Sequence, residues 1–235
     1  MSQRLIEIDS LLVDINRVMD IPDFKLTEML SEATEASDQL SSKLTDMLSV
    51  MGDFARQGFQ ENELLDISKT ATVLQNISDL DASGAVDTLT SAMLNYNIAA
   101  EDSIRIADQL NEVDNNFAIS TKDLSDGIRK SASTAKTFGV DLQELTGYIA
   151  AIGSTTRETG SVVGNGLKTI ISRLTTIEGA EESLNSANVA MRDLQGNVRP
   201  VSEILTDLAG NWSSLSEEQQ QNMGVTLAGR YQLSR

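Results

Sequence analysis

Histidine and cysteine are both absent from these 235 residues. Without cysteine there is no disulfide framework and no thiolate metal site. Without histidine there is no imidazole ligand and no imidazole base. That removes Ser–His and Cys–His catalysis and most zinc sites. Proline occurs twice and aromatic residues make up 4% of the chain. Scarce proline with plentiful Leu, Ile, Ala, Ser, Asp and Glu favours helices. No apolar run approaches the ~18 residues that a membrane span needs. No positively charged start leads into an apolar stretch, so no secretion signal is read. The segment is expected to be soluble. The last residues, LAGRYQLSR, stop without a helix-end signal, and a fragment of a longer chain is expected.

What is present is acid. The formal charge is −17, and it is uneven. Residues 1–120 carry 22 acids and 7 bases, whereas residues 121–235 carry 13 acids and 11 bases. An acidic surface repels phosphate, so nucleic acid is not an expected partner. The plain explanation of the acidic half is a solvated helical surface. The sharper one is a docking face for a basic partner.

The most strongly punctuated stretch runs from Ser120 to Leu174. Leu124, Ile128, Ala132, Ala135 and Phe138 recur at helical spacing, which marks one buried face. Ser120 with Asp123 suggests a capping pair. Gly139 then falls where a left-handed C-terminal residue is wanted. Asp141 and Glu144 form a second capping pair, and Leu142, Leu145, Tyr148, Ile149 and Ile152 form the next stripe. Gly153 to Gly160 reads as a polar break, and Val163, Leu167, Ile170, Ile171 and Leu174 as a third stripe. Gly147, Gly164 and Gly166 lie within helical patterns, each costing about 1 kcal/mol relative to Ala. Close helix contact or a frayed helix start accounts for them, with a hinge as the alternative.

The rest of the chain also reads as helical. Met1 to Met19 is periodic and ends at Ile21-Pro22. Thr27 to Phe54 reads as one further helical stretch with a thin stripe. Gly58-Phe59 followed by Glu63-Leu64 parallels Gly139-Val140 followed by Glu144-Leu145, so residues 58–110 and 139–174 read as related units. Around Asp193 and Gly196 a turn is expected, with a small β-hairpin near residues 190–201. Asp193 and Asn197 lack the series of ligands and the closing Glu that a calcium loop needs. Trp212 reads as a core anchor. Ser216 and Gln219 cap a last helix carrying Met223, Val225, Leu227 and Tyr231. The fold class is therefore all-α: stacked helical hairpins with short Gly-marked turns. Three segments are expected, residues 1–55, 56–176 and 177–235.

The run TFGVDLQELTGYIAAIGSTTRETGSVVGNGLKTIISRL resembles the core region of the tail tape-measure proteins of long-tailed bacteriophages. The matching residues are Gly139, Val140, Glu144, Leu145, Gly160, Gly164 and Leu167. The resemblance extends through Gly196, Arg199 and Pro200 to AGRYQLSR, and covers roughly residues 51–235 in element order. It implies a structural protein of a phage or prophage tail. Such a protein sets tail length and templates the tail tube. Its implied partners are tail-tube subunits and tail assembly chaperones, with self-association as a further expectation. Its implied place is the virion tail, and the bacterial host cytoplasm during assembly.

Two other classes compete. A soluble helical interaction or adaptor module fits the composition, but it predicts long unbroken heptads, and Gly139, Gly153 and Gly160 interrupt any such run. An enzyme needs an activating constellation, and no pair among the 35 acids is singled out. No catalytic, cofactor-binding or metal-binding residue is assigned, and no cofactor is expected.

Overall fold

Twelve α-helices and two 3-10 turns make up the regular structure of residues 3–233, which are the residues described by this computed structural model. No strand occurs among them, and the all-α expectation holds. The chain divides into two compact units, residues 1–116 with 120–122, and residues 117–119 with 123–235.

The first unit contains α1 (Gln3–Met19), α2 (Asp23–Gln39), α3 (Leu44–Arg56), α4 (Glu61–Ile77), α5 (Ala82–Tyr96), a 3-10 turn (Ala100–Asp102) and α6 (Ile104–Asn116). Its core is built around α3, which packs against α1, α2, α4 and α5. Met47, Leu48, Val50, Met51 and Phe54 of α3 are all buried. A helix apolar over so much of its surface must be covered on several sides. Each such side chain contributes about 1.5–3 kcal/mol when fully buried. Phe54 meets Phe59 edge-on with ring centroids 5.5 Å apart. Lys25 of α2 pairs with Glu61 of α4 at 2.8 Å.

The expected single stretch from Thr27 to Phe54 is two helices. The break at Leu40–Lys43 is made by Ser41, which takes a left-handed φ of 53°. The amide of Ser42 then donates to the Ser37 carbonyl at 2.9 Å, the bond that closes a left-handed helix end. No glycine or proline announces this break.

The second unit holds α7 (Thr121–Thr137) from Asp123 onward, α8 (Leu142–Thr156), α9 (Gly160–Thr176), α10 (Ala180–Ser186), α11 (Val201–Trp212), α12 (Glu217–Leu227) and a 3-10 turn (Arg230–Gln232). Leu124, Ile128, Ala132 and Ala135 of α7 are buried, as the spacing predicts. Gly153 does not begin a break. It lies inside α8 at a buried position where an added Cβ would overlap Ile119 Cδ1 at about 2.5 Å. The break is confined to Arg157–Thr159, with Arg157 left-handed.

The helical glycines divide cleanly. A Cβ on Gly164 would lie 2.6 Å from the Gly127 carbonyl oxygen and 2.9 Å from Gly127 Cα. A Cβ on Gly160 would overlap the Asp123 carbonyl. Here α9 passes α7 backbone to backbone. Gly147 faces open space instead, so packing gives no reason for it.

The stretch from Met191 to Pro200 forms no β-hairpin. It has a single antiparallel bridge between Arg192 and Val198. Two backbone bonds close it, Asp193 N to Asn197 O at 2.9 Å and Arg199 N to Met191 O at 3.0 Å. The ladder cannot lengthen. Val189 is tied back to α10 through the Leu184 carbonyl, and Pro200 has no N–H to donate. Gly196 does take the expected left-handed φ, 88°. The Asp193 carboxylate holds the tip, accepting from Gln195 N, Asn197 N and Asn197 Nδ2 at 2.8–3.0 Å. Those bonds, led by the Asn197 side chain, lower the Asp193 pKa below its ordinary value.

Two predictions follow from this packing. Gly164→Ala should destabilise the second unit by about 1–3 kcal/mol through overpacking, despite its better helix propensity. Gly147→Ala should stabilise it by about 0.5–1 kcal/mol. Urea unfolding followed by circular dichroism measures both, and a stabilising Gly164→Ala would refute the close crossing. For the Asp193 turn the sign follows from the lowered pKa. Its support is complete above the ordinary carboxylate pKa and is lost as pH falls through the lowered folded value. Amide exchange at Gln195 and Asn197 should therefore lose protection at that acid limb, and Asp193→Ala should abolish the dependence.

Candidate functional site

The residues that carry the sequence motifs meet at one end of α7. The Lys136–Gly139 and Ala135–Val140 backbone bonds, 3.2 and 2.9 Å, end that helix, with Gly139 at φ 77°. Val140 is buried. Asp141 and Glu144 then start α8 by reciprocal capping, Glu144 N to Asp141 Oδ1 at 2.8 Å and Asp141 N to Glu144 Oε2 at 2.9 Å. Each satisfies a backbone donor that the helix leaves open. The same device recurs in the first unit. Gly58 is left-handed, Phe59 is buried and its amide donates to the Phe54 carbonyl. Gln60 and Glu63 form the following capping box. The parallel between Gly58-Phe59 and Gly139-Val140 is thus a parallel of geometry.

The Arg199-Pro200 connector docks on this turn. Val201 N donates to the Phe138 carbonyl at 3.0 Å. A Cβ on Gly139 would stand 3.1 Å from Pro200 Cβ and 3.2 Å from Pro200 Cα. Gly139 is therefore fixed twice, by its left-handed backbone and by the proline against it. Arg199 locks the connector to α11. Its guanidinium reaches Asp207 at 2.8 Å, Glu203 at 3.3 Å and the Ala190 carbonyl at 2.9 Å. The Asp207 hydrogen bond is the main reason the guanidinium pKa is raised. An open cleft of about 460 Å³ lies here, with Thr137, Phe138, Thr175, Thr176 and Val198 in its wall.

Three contacts carry no local sequence signal. Asp123 accepts from Gly160 N at 2.7 Å, an anionic group at the positive end of α9. Arg173 donates to the Thr226 and Leu227 carbonyls at 2.9 and 3.3 Å, a cation at the C-terminal end of α12. The third is Pro200 on Gly139. Trp212 is 37% exposed and is no core anchor. It borders an apolar groove of about 420 Å³ with Ile170, Leu174, Leu208, Met223 and Leu227. The last helix stops at Leu227, and Tyr231 lies beyond it, 92% exposed. The Ser216–Gln219 capping box is present as the spacing predicts.

Among the described residues no three His, Cys, Asp or Glu side chains gather as a metal site would require. The Tyr148 phenol is raised in pKa, by burial first and then by the Glu144 and Asp141 carboxylates. A raised pKa keeps the phenol in its protonated, neutral form at neutral pH. No helix among the described residues is long and apolar enough to cross a membrane.

Comparison with known proteins agrees with the motif reading. The family model of the phage-related minor tail proteins matches residues 31–229. The tape measure protein of Pneumococcus phage Dp-1 is 23% identical over 211 residues, covering 89% of this chain and 18% of that protein. The probable tape measure protein of Escherichia phage P2 is 28% identical over 137 residues, covering 57% of this chain and 17% of that protein. The chain thus spans less than a fifth of the length of these curated relatives. No solved structure matches it. With the family model covering more than four-fifths of its length, the chain belongs to the phage-related minor tail protein family.

Proposed function

We propose that this chain is a segment of a tape-measure protein: part of the ruler that sets tail length and around which tube subunits assemble. The observation that carries the proposal is the family match over residues 31–229, together with two relatives named as tape measure proteins. The helical build supports it, because a helix converts residue number into length at a fixed 1.5 Å per residue. Tail-tube subunits and tail assembly chaperones are the partners this reading supplies, with assembly in the host cytoplasm before residence in the virion tail. The segment acts by length and surface and performs no catalysis.

The runner-up is a helical adaptor module without catalytic activity. The repeated Gly-turn and capping-box device favours the tail reading, since it breaks the chain where an adaptor coiled coil would run on.

The test is tail length in a phage assembled on the full-length protein. In-frame deletion of residues 177–233 should shorten the tail by roughly 85 Å if the segment serves as extended helix. Tails of unchanged length, measured by electron microscopy, would exclude a ruler role for it. The acidity gives a second expectation. A protein that shares a tube with passing DNA must not hold it, and the carboxylates of residues 3–116 provide the repulsion. Reversing six exposed acids of that region to lysine should create salt-sensitive DNA binding. Negligible binding by the reversed chain would remove this explanation of the charge.

A further inference from the structure

Several large apolar side chains of the first two helices are exposed. Leu5, Ile6, Val13 and Val18 of α1 and Phe24 of α2 are all between 46 and 68% exposed. Of these, Ile6 and Val13 share one side of α1, and a grouped apolar patch marks an interaction site more often than scattered single residues do. The groove between α1 and α2 has a volume of about 500 Å³, and Leu12, Val13, Leu26 and Leu30 line it together with Asp9, Asp23 and one base, Arg17.

The order of these groups along α1 is informative. Ile6, Asp9, Val13 and Asn16 follow one another at steps of three, four and three. That is the spacing at which one helix meets another along a seam. Ile6, Asp9 and Val13 are exposed, Asn16 partly so. The opposite stripe, which includes buried Ile15, already faces α3. The outer seam therefore sets one carboxylate, Asp9, between two apolar side chains, Ile6 and Val13. Residues 3–39 hold nine acids and three bases. Of those bases, Arg17 pairs with Asp14 at 3.4 Å and Lys25 with Glu61 at 2.8 Å.

We propose that the α1–α2 groove is a docking site for a cationic amphipathic helix of a partner protein, with apolar residues against Val13 and Leu26 and Lys or Arg against Asp9 and Asp23. Charge selects this occupant. A second copy of this chain would set carboxylates against carboxylates along the same seam, and the first unit as a whole carries 22 acids and 8 bases. Like charges in register disfavour pairing, and opposite charges steer and specify it. The inference rests on the exposed seam alone and does not depend on the tape-measure reading.

The test uses the full chain and two three-heptad peptides. One places Leu and Lys alternately at its seam positions, and the other replaces each Lys by Glu. The lysine peptide should bind, as read by fluorescence anisotropy, and the glutamate peptide should not. Amide exchange should show new protection in α1 and α2. Val13→Asp should weaken the lysine peptide at least about tenfold. Asp9→Lys should weaken it likewise and raise affinity for the glutamate peptide. Both residues are exposed, and circular dichroism checks that each variant keeps its helices. Equal binding of both peptides, protection confined to other helices, or no binding would overturn the proposal. A dimeric chain that Val13→Asp returns to monomer would also overturn it, by making a second copy the occupant.

Discussion

Close approach of helix backbones is the constraint on which the second unit depends. With so few aromatic residues and no disulfide, the chain has little with which to fill wide gaps between helices. Its helices must come near enough for small side chains to close the core. At Gly160 and Gly164 they come so near that α9 rests on the backbone of α7. The Asp123 carboxylate, one turn from the contact, accepts the first amide of α9. One crossing thus sets the spacing of the two helices and satisfies a helix end. Gly127, whose backbone meets Gly164, also leaves room for Ile149 of α8, to which a Cβ would come within about 2.9 Å. Glycines on α7 and α9 therefore fit three helices together.

The turn at Gly139 supplies the complementary local control. Its left-handed residue, buried Val140 and capping box direct the chain from α7 to α8 using only bonds between near neighbours. Pro200 then presses on Gly139 from 61 positions away in sequence. This contact joins the Gly-Val and Arg-Pro motifs: one forms the surface on which the other is seated. The first unit uses the same turn at Gly58 without any proline against it. A Cβ there would meet nothing within 4 Å, so only the backbone conformation fixes that glycine.

What could be read from sequence was what is local. The caps at Asp141–Glu144 and Ser216–Gln219, the left-handed glycines 139 and 196, and the buried face of α7 all follow from residues within a turn or two of one another. The break at Ser41 was hidden because a serine took a backbone conformation that glycine or asparagine usually marks. Gly153 misled in the opposite direction: a glycine read as punctuation is a packing position beneath Ile119. The hairpin near Asp193 failed because strand length depends on what flanks the turn, and here α10 and Pro200 leave it no room. The contacts of Asp123 with α9 and of Arg173 with α12 span 37 and 54 positions, and no periodicity of a single helix reports them.

That division between local and distant bonds decides what would give way first if the segment were drawn out, as the proposed ruler role requires. Helix ends capped by their own neighbours keep their satisfaction if the units open, because both partners of the capping box move with the same helix. The close crossings do not survive opening. They are made of dispersion contacts and excluded volume, which vanish within an ångström or two of separation. Drawing such a chain out along a tube would therefore break its tertiary packing first and leave most helical hydrogen bonds intact. The open helices would present the apolar faces that the compact units bury, and tube walls or a second protein would have to cover them. The −17 charge opposes self-aggregation of those faces. Helix ends such as those of α8 and α12 at their capping boxes would survive such opening, whereas the start of α9, held by Asp123, and the end of α12, held by Arg173, would lose their partners.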